Sequence, residues 1–111
     1  MKLDDRVRLT HMLEASRDAI SFSGSMTEDE LSENRMVLQA IVRSIEIIGE
    51  AASQVSQAYR AKHPEIPWKD IVGMRNRLIH AYFEIDPELV YSTVQHDLPI
   101  LVGQLEKLSP E

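Results

Sequence analysis

From Thr27 to Ala61 the chain contains no proline and a single glycine, Gly49, and apolar residues recur along it at helical spacing. Such a stretch predicts one long helix, with a bend allowed near Ser32. Thr27-Glu28-Asp29-Glu30 opens it as a capping box, Thr27 accepting from the third helical N–H and Glu30 reaching back. At about 100° per residue, Leu38, Ile41, Ile45, Ile48, Ala52, Val55 and Tyr59 fall on one side. Met36, Ala40, Ile47 and Ala51 form a second apolar flank, and a polar stripe of Gln39, Arg43, Glu46 and Glu50 runs between the two. A helix apolar on two sides is expected to be largely buried, so that stripe needs partners. Arg43 can pair internally with Glu46 or Glu50, or a glutamate can cross to a basic residue elsewhere.

The remaining segments read as helices packed around this one. Residues 4 to about 22 carry Val7, Leu9, Leu13, Ala19, Ile20 and Phe22 on one side, with Asp4 or Asp5 as cap and Ser23-Gly24-Ser25 as stop. His63-Pro64-Glu65-Ile66-Pro67 is a rigid loop, after which Pro67-Trp68 begins a third helix. Asp86-Pro87-Glu88 opens a fourth with the stripe Val90, Val94, Leu98, Leu101, Leu105 and Leu108, kinked at Pro99, before Ser109-Pro110-Glu111 frays. No segment reads as a strand. The expected class is all-α, an antiparallel four-helix bundle with room for an extra short helix.

Composition narrows the function classes. A chain of 111 residues supports one modest core, and pairing with another chain would bury more surface. No cysteine is present, which excludes thiolate chemistry and fits a reducing compartment. The start, Met-Lys-Leu-Asp-Asp, has no apolar signal run, and no stretch reaches membrane-spanning length, so a soluble, cytoplasmic protein is expected. The net charge of −6 opposes indiscriminate nucleic-acid binding. It is unevenly spread: residues 1–59 carry −4, residues 83–111 carry −5, and residues 60–82 carry +3.

That one positive segment holds Gly73-Met74-Arg75-Asn76-Arg77-Leu78-Ile79-His80-Ala81-Tyr82. An Arg is a permanent planar cation that grips phosphate oxygens, and a His moves protons near neutral pH. The bare Arg-x4-His spacing carries little weight, because Arg6 and His11 repeat it. That copy lacks the Asn and has Leu13 where the later one has Tyr82. On a continuous helix, Ile71, Val72, Leu78, Ile79 and Tyr82 form the apolar face, with Arg75 near its middle. Asn76 and His80 stack at the polar edge, and Arg77 points outward with Lys69 as a second candidate phosphate contact. A guanidinium on an apolar face must be paired or line a cleft that another chain completes. Arg75 and His80 lie about 140° apart on an ideal helix, so a site combining two protomers is one solution.

Other chemistries find no support. His11, His63, His80 and His96 show no metal-ligand spacing, no Gly-rich loop precedes a helix, and no serine sits in a nucleophile elbow. No metal and no cofactor is expected.

Ile45-Glu46-Ile47-Ile48-Gly49-Glu50-Ala51-Ala52, Ile66-Pro67-Trp68, Gly73-Met74-Arg75-Asn76-x3-His80-x-Tyr82 and Asp97-Leu98-Pro99 together resemble the HepT-like branch of the HEPN superfamily. The resemblance spans nearly the whole chain, so residues 1–111 are expected to form one HEPN-type domain. It implies an all-α homodimer, sometimes assembled further, acting as the toxin of a toxin–antitoxin pair. The implied activity is metal-independent RNA cleavage. Arg75 and His80 would be catalytic, with Asn76 as the polar residue beside them and Tyr82 the tyrosine that the antitoxin modifies with AMP. The antitoxin is a minimal nucleotidyltransferase. An ion pair of Glu46 or Glu50 with Arg75 or Arg43 is expected to support the site. The alternative is a non-catalytic helical partner or nucleotide-binding module for the same nucleotidyltransferase.

Overall fold

The computed structural model describes residues 2–80 and 84–108, His80 by its backbone alone. Helix α1, Leu3–Ser23, buries Leu9, Met12, Leu13, Ser16 and Ala19 at spacings of three and four, the Ser16 hydroxyl donating to the Met12 carbonyl at 2.7 Å. Gly24, at φ +54°, ends it in a conformation that a side chain would disfavour. Neither expected aspartate caps this helix: Lys2 occupies that position, without a side-chain bond, and both aspartates lie in the first turn. Asp5 instead turns inward, 4% exposed, and accepts from the Ser56 N–H at 2.8 Å and the Ser56 hydroxyl at 2.7 Å.

The long second helix is three helices: α2 (Glu28–Ser32), α3 (Arg35–Gln54) and α4 (Gln57–Lys62). The capping box on α2 forms as expected, with the Thr27 hydroxyl accepting from Glu30 N–H and the Glu30 carboxylate from Thr27 N–H. Two further caps explain the breaks. Asn34 accepts from Val37 N–H at 3.1 Å and Ser56 from Tyr59 N–H at 3.2 Å, each giving the backbone an alternative to continuing the helix. Leu38, Ile41, Ile45, Ile48, Ala52 and Val55 are all buried, as their spacing requires. The second flank is closed over only at Ala51: Met36 is 78% exposed, Ala40 and Ile47 are half-buried, and Gln39, Arg43 and Glu50 face solvent. The expectation that this helix is largely buried is therefore corrected. Helices α1, α5 and α6 pack on it from its inner side.

Trp68–Val72 (α5) and Met74–Leu78 (α6) follow the His63–Pro67 loop, which the Trp68 indole closes by donating to the His63 carbonyl at 3.0 Å. The third helix stops at Leu78. Ile79–His80 (β1) and Glu84–Ile85 (β2) pair antiparallel, Ile79 opposite Ile85 and His80 opposite Glu84, and the Asp86 N–H donates to the Leu78 carbonyl at 2.7 Å. A short ladder thus stands where no strand was expected. β-branched Ile79 and Ile85 are at home in it, and Asp86-Pro87 ends it.

Asp86 caps α7 (Pro87–Ser92), accepting from Leu89 N–H at 3.1 Å with Pro87 in the first turn. The kink expected at Pro99 takes the form of a wide, π-helical turn at Thr93–Asp97, directly before α8 (Leu98–Lys107) with Pro99 in its first turn. Proline withholds one N–H and crowds the preceding carbonyls, and the wider turn accommodates both. Val90, Val94, Leu98, Leu101 and Leu105 remain on one buried face. Residues 109–111, expected to fray, lie outside the described part. Helix α8 packs against α1, where Arg17 meets Glu106 at 2.8 Å. The chain is all-α apart from the two-rung ladder, but only the first of the four expected helices runs unbroken. Among the described residues no helix is long and apolar enough to cross a membrane.

Candidate active site

Helix α3 is the base on which the motif segment sits. A Cβ built on Gly49 would lie 3.2 Å from the carbonyl oxygens of both Ile71 and Val72. A glycine on the face of α3 that meets α5 lets that backbone approach closely, and Gly73 follows at once with its N–H on the Lys69 carbonyl. Ile71, Met74 and Leu78 are the buried anchors of α5 and α6, while Val72, expected on the apolar face, is 41% exposed.

This anchoring sets Arg75 beside Glu46. The Arg75 Nε lies 3.3 Å from Glu46 Oε2, and Arg43 Nη1 donates to Glu46 Oε1 at 2.6 Å. One carboxylate therefore serves both of the partners considered for it, the neighbour on its own helix and the guanidinium on the motif segment. The Arg75 contact is ionic, since its buried Nε is not aligned for a hydrogen bond. The Arg75 side chain is 38% exposed, so a ligand can still reach it. Its Nη1 is 3.5 Å from Asn76 Oδ1, and Asn76 itself is exposed. Glu50, the other candidate, is exposed and forms no ion pair among the described residues.

Arg77 turns away from this cluster, as expected, and is held by Asp70: Nη2 donates to the Asp70 carbonyl at 3.3 Å and Nη1 is 3.9 Å from its carboxylate. Lys69 is exposed on the preceding helix. His80 lies two residues beyond the end of α6, in extended backbone, so the stacking of Asn76 with His80 and the 140° angle drawn on one helix do not apply. The change from helix to extended backbone at Ile79 falls between Arg75 and His80. Tyr82 lies outside the described residues.

The other histidines are apart from the site. His11 and His96 are exposed, and His63 is half-buried with its ring 4.5 Å from that of Tyr59. Burial raises the Tyr59 phenol above its ordinary pKa, with the charges of Asp5 and Glu65 adding to it, which keeps the hydroxyl neutral. Among the described residues no cluster of three or more His, Cys, Asp or Glu is placed to hold a metal ion. Sequence reasoning gave Gly49 no structural role, although a lone glycine inside a helical run is a signal of a close approach.

A family model described as "Ribonuclease HepT-like" matches residues 12–108. A protein of Methanocaldococcus jannaschii named as a candidate RNase is 39% identical over 105 residues, covering 95% of this chain and 96% of that one. A probable ribonuclease HepT of Thermococcus cleftensis is 38% identical over 106 residues, covering 96% and 91%. A third relative, a candidate RNase of Caldanaerobacter subterraneus, is 33% identical over 103 residues, covering 93% and 92%. No solved structure matches the chain significantly. Matched along almost its whole length, with the Arg75–His80 segment inside the match, the chain belongs to the HepT-like ribonuclease family.

Proposed function

We propose that the protein is a metal-independent endoribonuclease, the toxin of a toxin–antitoxin pair, with Arg75 and His80 as its catalytic residues. The observation that carries this reading is the setting of Arg75, a guanidinium fixed by Glu46 yet 38% exposed, in a segment spanned by the ribonuclease family match. Such a cation suits the charge that develops on the phosphorus oxygens as RNA is cut. His80 takes the proton of the ribose 2′-OH or returns one to the departing 5′-oxygen, and Asn76 offers an amide to the same phosphate. The products are a 2′,3′-cyclic phosphate and a 5′-OH, and Arg77 and Lys69 contact the strand nearby. Two copies meet over the motif segments as a homodimer of one-domain helical chains in the cytoplasm. The partner antitoxin, a minimal nucleotidyltransferase, silences the enzyme by adding AMP, and with it negative charge, to Tyr82.

The test is RNA cleavage in excess chelator by protein made without the antitoxin. The parent is expected to release cyclic-phosphate ends, and Arg75→Ala and His80→Ala each to lose about 10²-fold or more in rate. Undiminished cleavage by both variants would overturn the assignment.

A further inference from the structure

Beside the motif segment lies an open groove of about 740 Å³ between α4 and the start of α5, bounded by Arg60, Pro64, Pro67, Lys69, Asp70 and Val72. That volume is within the roughly 300–1,000 Å³ of small-molecule sites. Its charge is unbalanced. Among the described residues Arg60 and Lys69 have no carboxylate within ion-pair distance, and the one acid, Asp70, is engaged by Arg77. Arg60 is half-buried, and its Nε is out of water without a hydrogen-bond partner. A cation partly stripped of water and lacking a counter-charge is a cost that an anion would offset. The walls are the two prolines and the 41% exposed Val72, apolar surfaces against which a base or ribose can lie. Lys69, Asp70 and Val72 belong to α5, and Arg75 stands on the helix that follows at once, so the groove adjoins the element that carries Arg75.

We propose that this groove binds the single-stranded RNA flanking the cut, Arg60 and Lys69 holding its backbone phosphates. The proposal rests on the ribonuclease reading for its ligand and adds Arg60 as a substrate-binding residue. An acidic protein segment is the competing occupant, but an apolar-walled groove with two spaced cations matches alternating bases and phosphates better.

The experiment uses the full chain carrying His80→Ala, which binds without cutting, and a short fluorescent single-stranded RNA read by anisotropy across a salt series. Arg60→Gln and Lys69→Gln are each expected to raise Kd about tenfold and to lower the salt slope by about 0.7. Arg60→Lys should keep the slope, and Arg8→Gln, in the separate groove between α1 and α3, should change neither. Thermal melts identify any variant that fails to fold, in which case Arg60→Lys and Lys69→Gln decide. Kd and slope unchanged by both Gln variants, or no RNA bound by the starting protein, would overturn the proposal. So would RNA binding unaffected by variants that lose an acidic protein. Cleavage by the parent with Arg60-independent binding removes the groove and leaves the ribonuclease reading. Arg60-dependent binding without cleavage does the reverse.

Discussion

Glu46 divides its two carboxylate oxygens between Arg43 and Arg75, and so orients a cation on a different element without neutralising all of it. Asp5 makes a comparable link between distant segments. Burial pushes its carboxyl up, but the Ser56 N–H and hydroxyl, with the charge of Lys2, outweigh that and hold it below the ordinary range. A depressed carboxylate stabilises the fold above its unfolded pKa, and that contribution disappears as pH falls through the lower, folded value. Asp5→Asn is therefore expected to cost about 1–3 kcal/mol near neutral pH, judged from hydrogen bonds to a charged group. It should also flatten the acid limb of the stability curve below about pH 4. Denaturant unfolding across pH checks both, and a variant with the parent's acid limb would contradict them.

At the scale of elements, the contact of α3 with α5 governs the site. Gly49→Ala adds about 1 kcal/mol of helix propensity, yet its methyl meets two carbonyl oxygens that belong to a packed backbone. Overpacking of this kind costs about 1–3 kcal/mol, so a net loss of stability is expected, with a larger loss of RNA cleavage as Arg75 is moved from Glu46. Thermal melts beside cleavage rates would show it, and a more stable, equally active variant would refute it. The apolar faces at Leu38–Val55 and Val90–Leu105 were readable because burial imposes period on a helix, and the caps at Thr27 and Asp86 because their chemistry is local. The break between Ser32 and Arg35 was readable only as a bend near Ser32, and the one at Ser56 was not, since neither Gly nor Pro marks it and Ser56 acts together with Asp5 from 51 positions away. The end of α6 at Leu78 was hidden too: Ile79-His80 continues a helical pattern in sequence, and only pairing with Glu84-Ile85 draws it into a strand. The ion pair of Glu46 could be anticipated from the stripe, whereas its reach to two arginines depends on where α6 lies.

For the whole molecule, α1 packed along α3 and the Asp5–Ser56 tie both fall within the first 56 residues, whereas Arg17 reaches Glu106 across 89 positions. Closing the shorter loops costs less entropy, so the α1–α3 pair is expected to form in the folding transition state and α8 to dock afterwards. Ile41→Val should then slow refolding, while Leu105→Ala should mainly speed unfolding, as stopped-flow mixing across denaturant would resolve. Equal effects on both limbs for both variants would rule this order out. The consequence concerns timing during synthesis. Residues leave the ribosome from the N-terminus onward, so a growing chain holds its first two long helices before Arg75 has emerged to dock on them. On the proposed assignment of Arg75, the capacity to cut RNA would belong to the finished molecule, and the nascent helical pair would lack it.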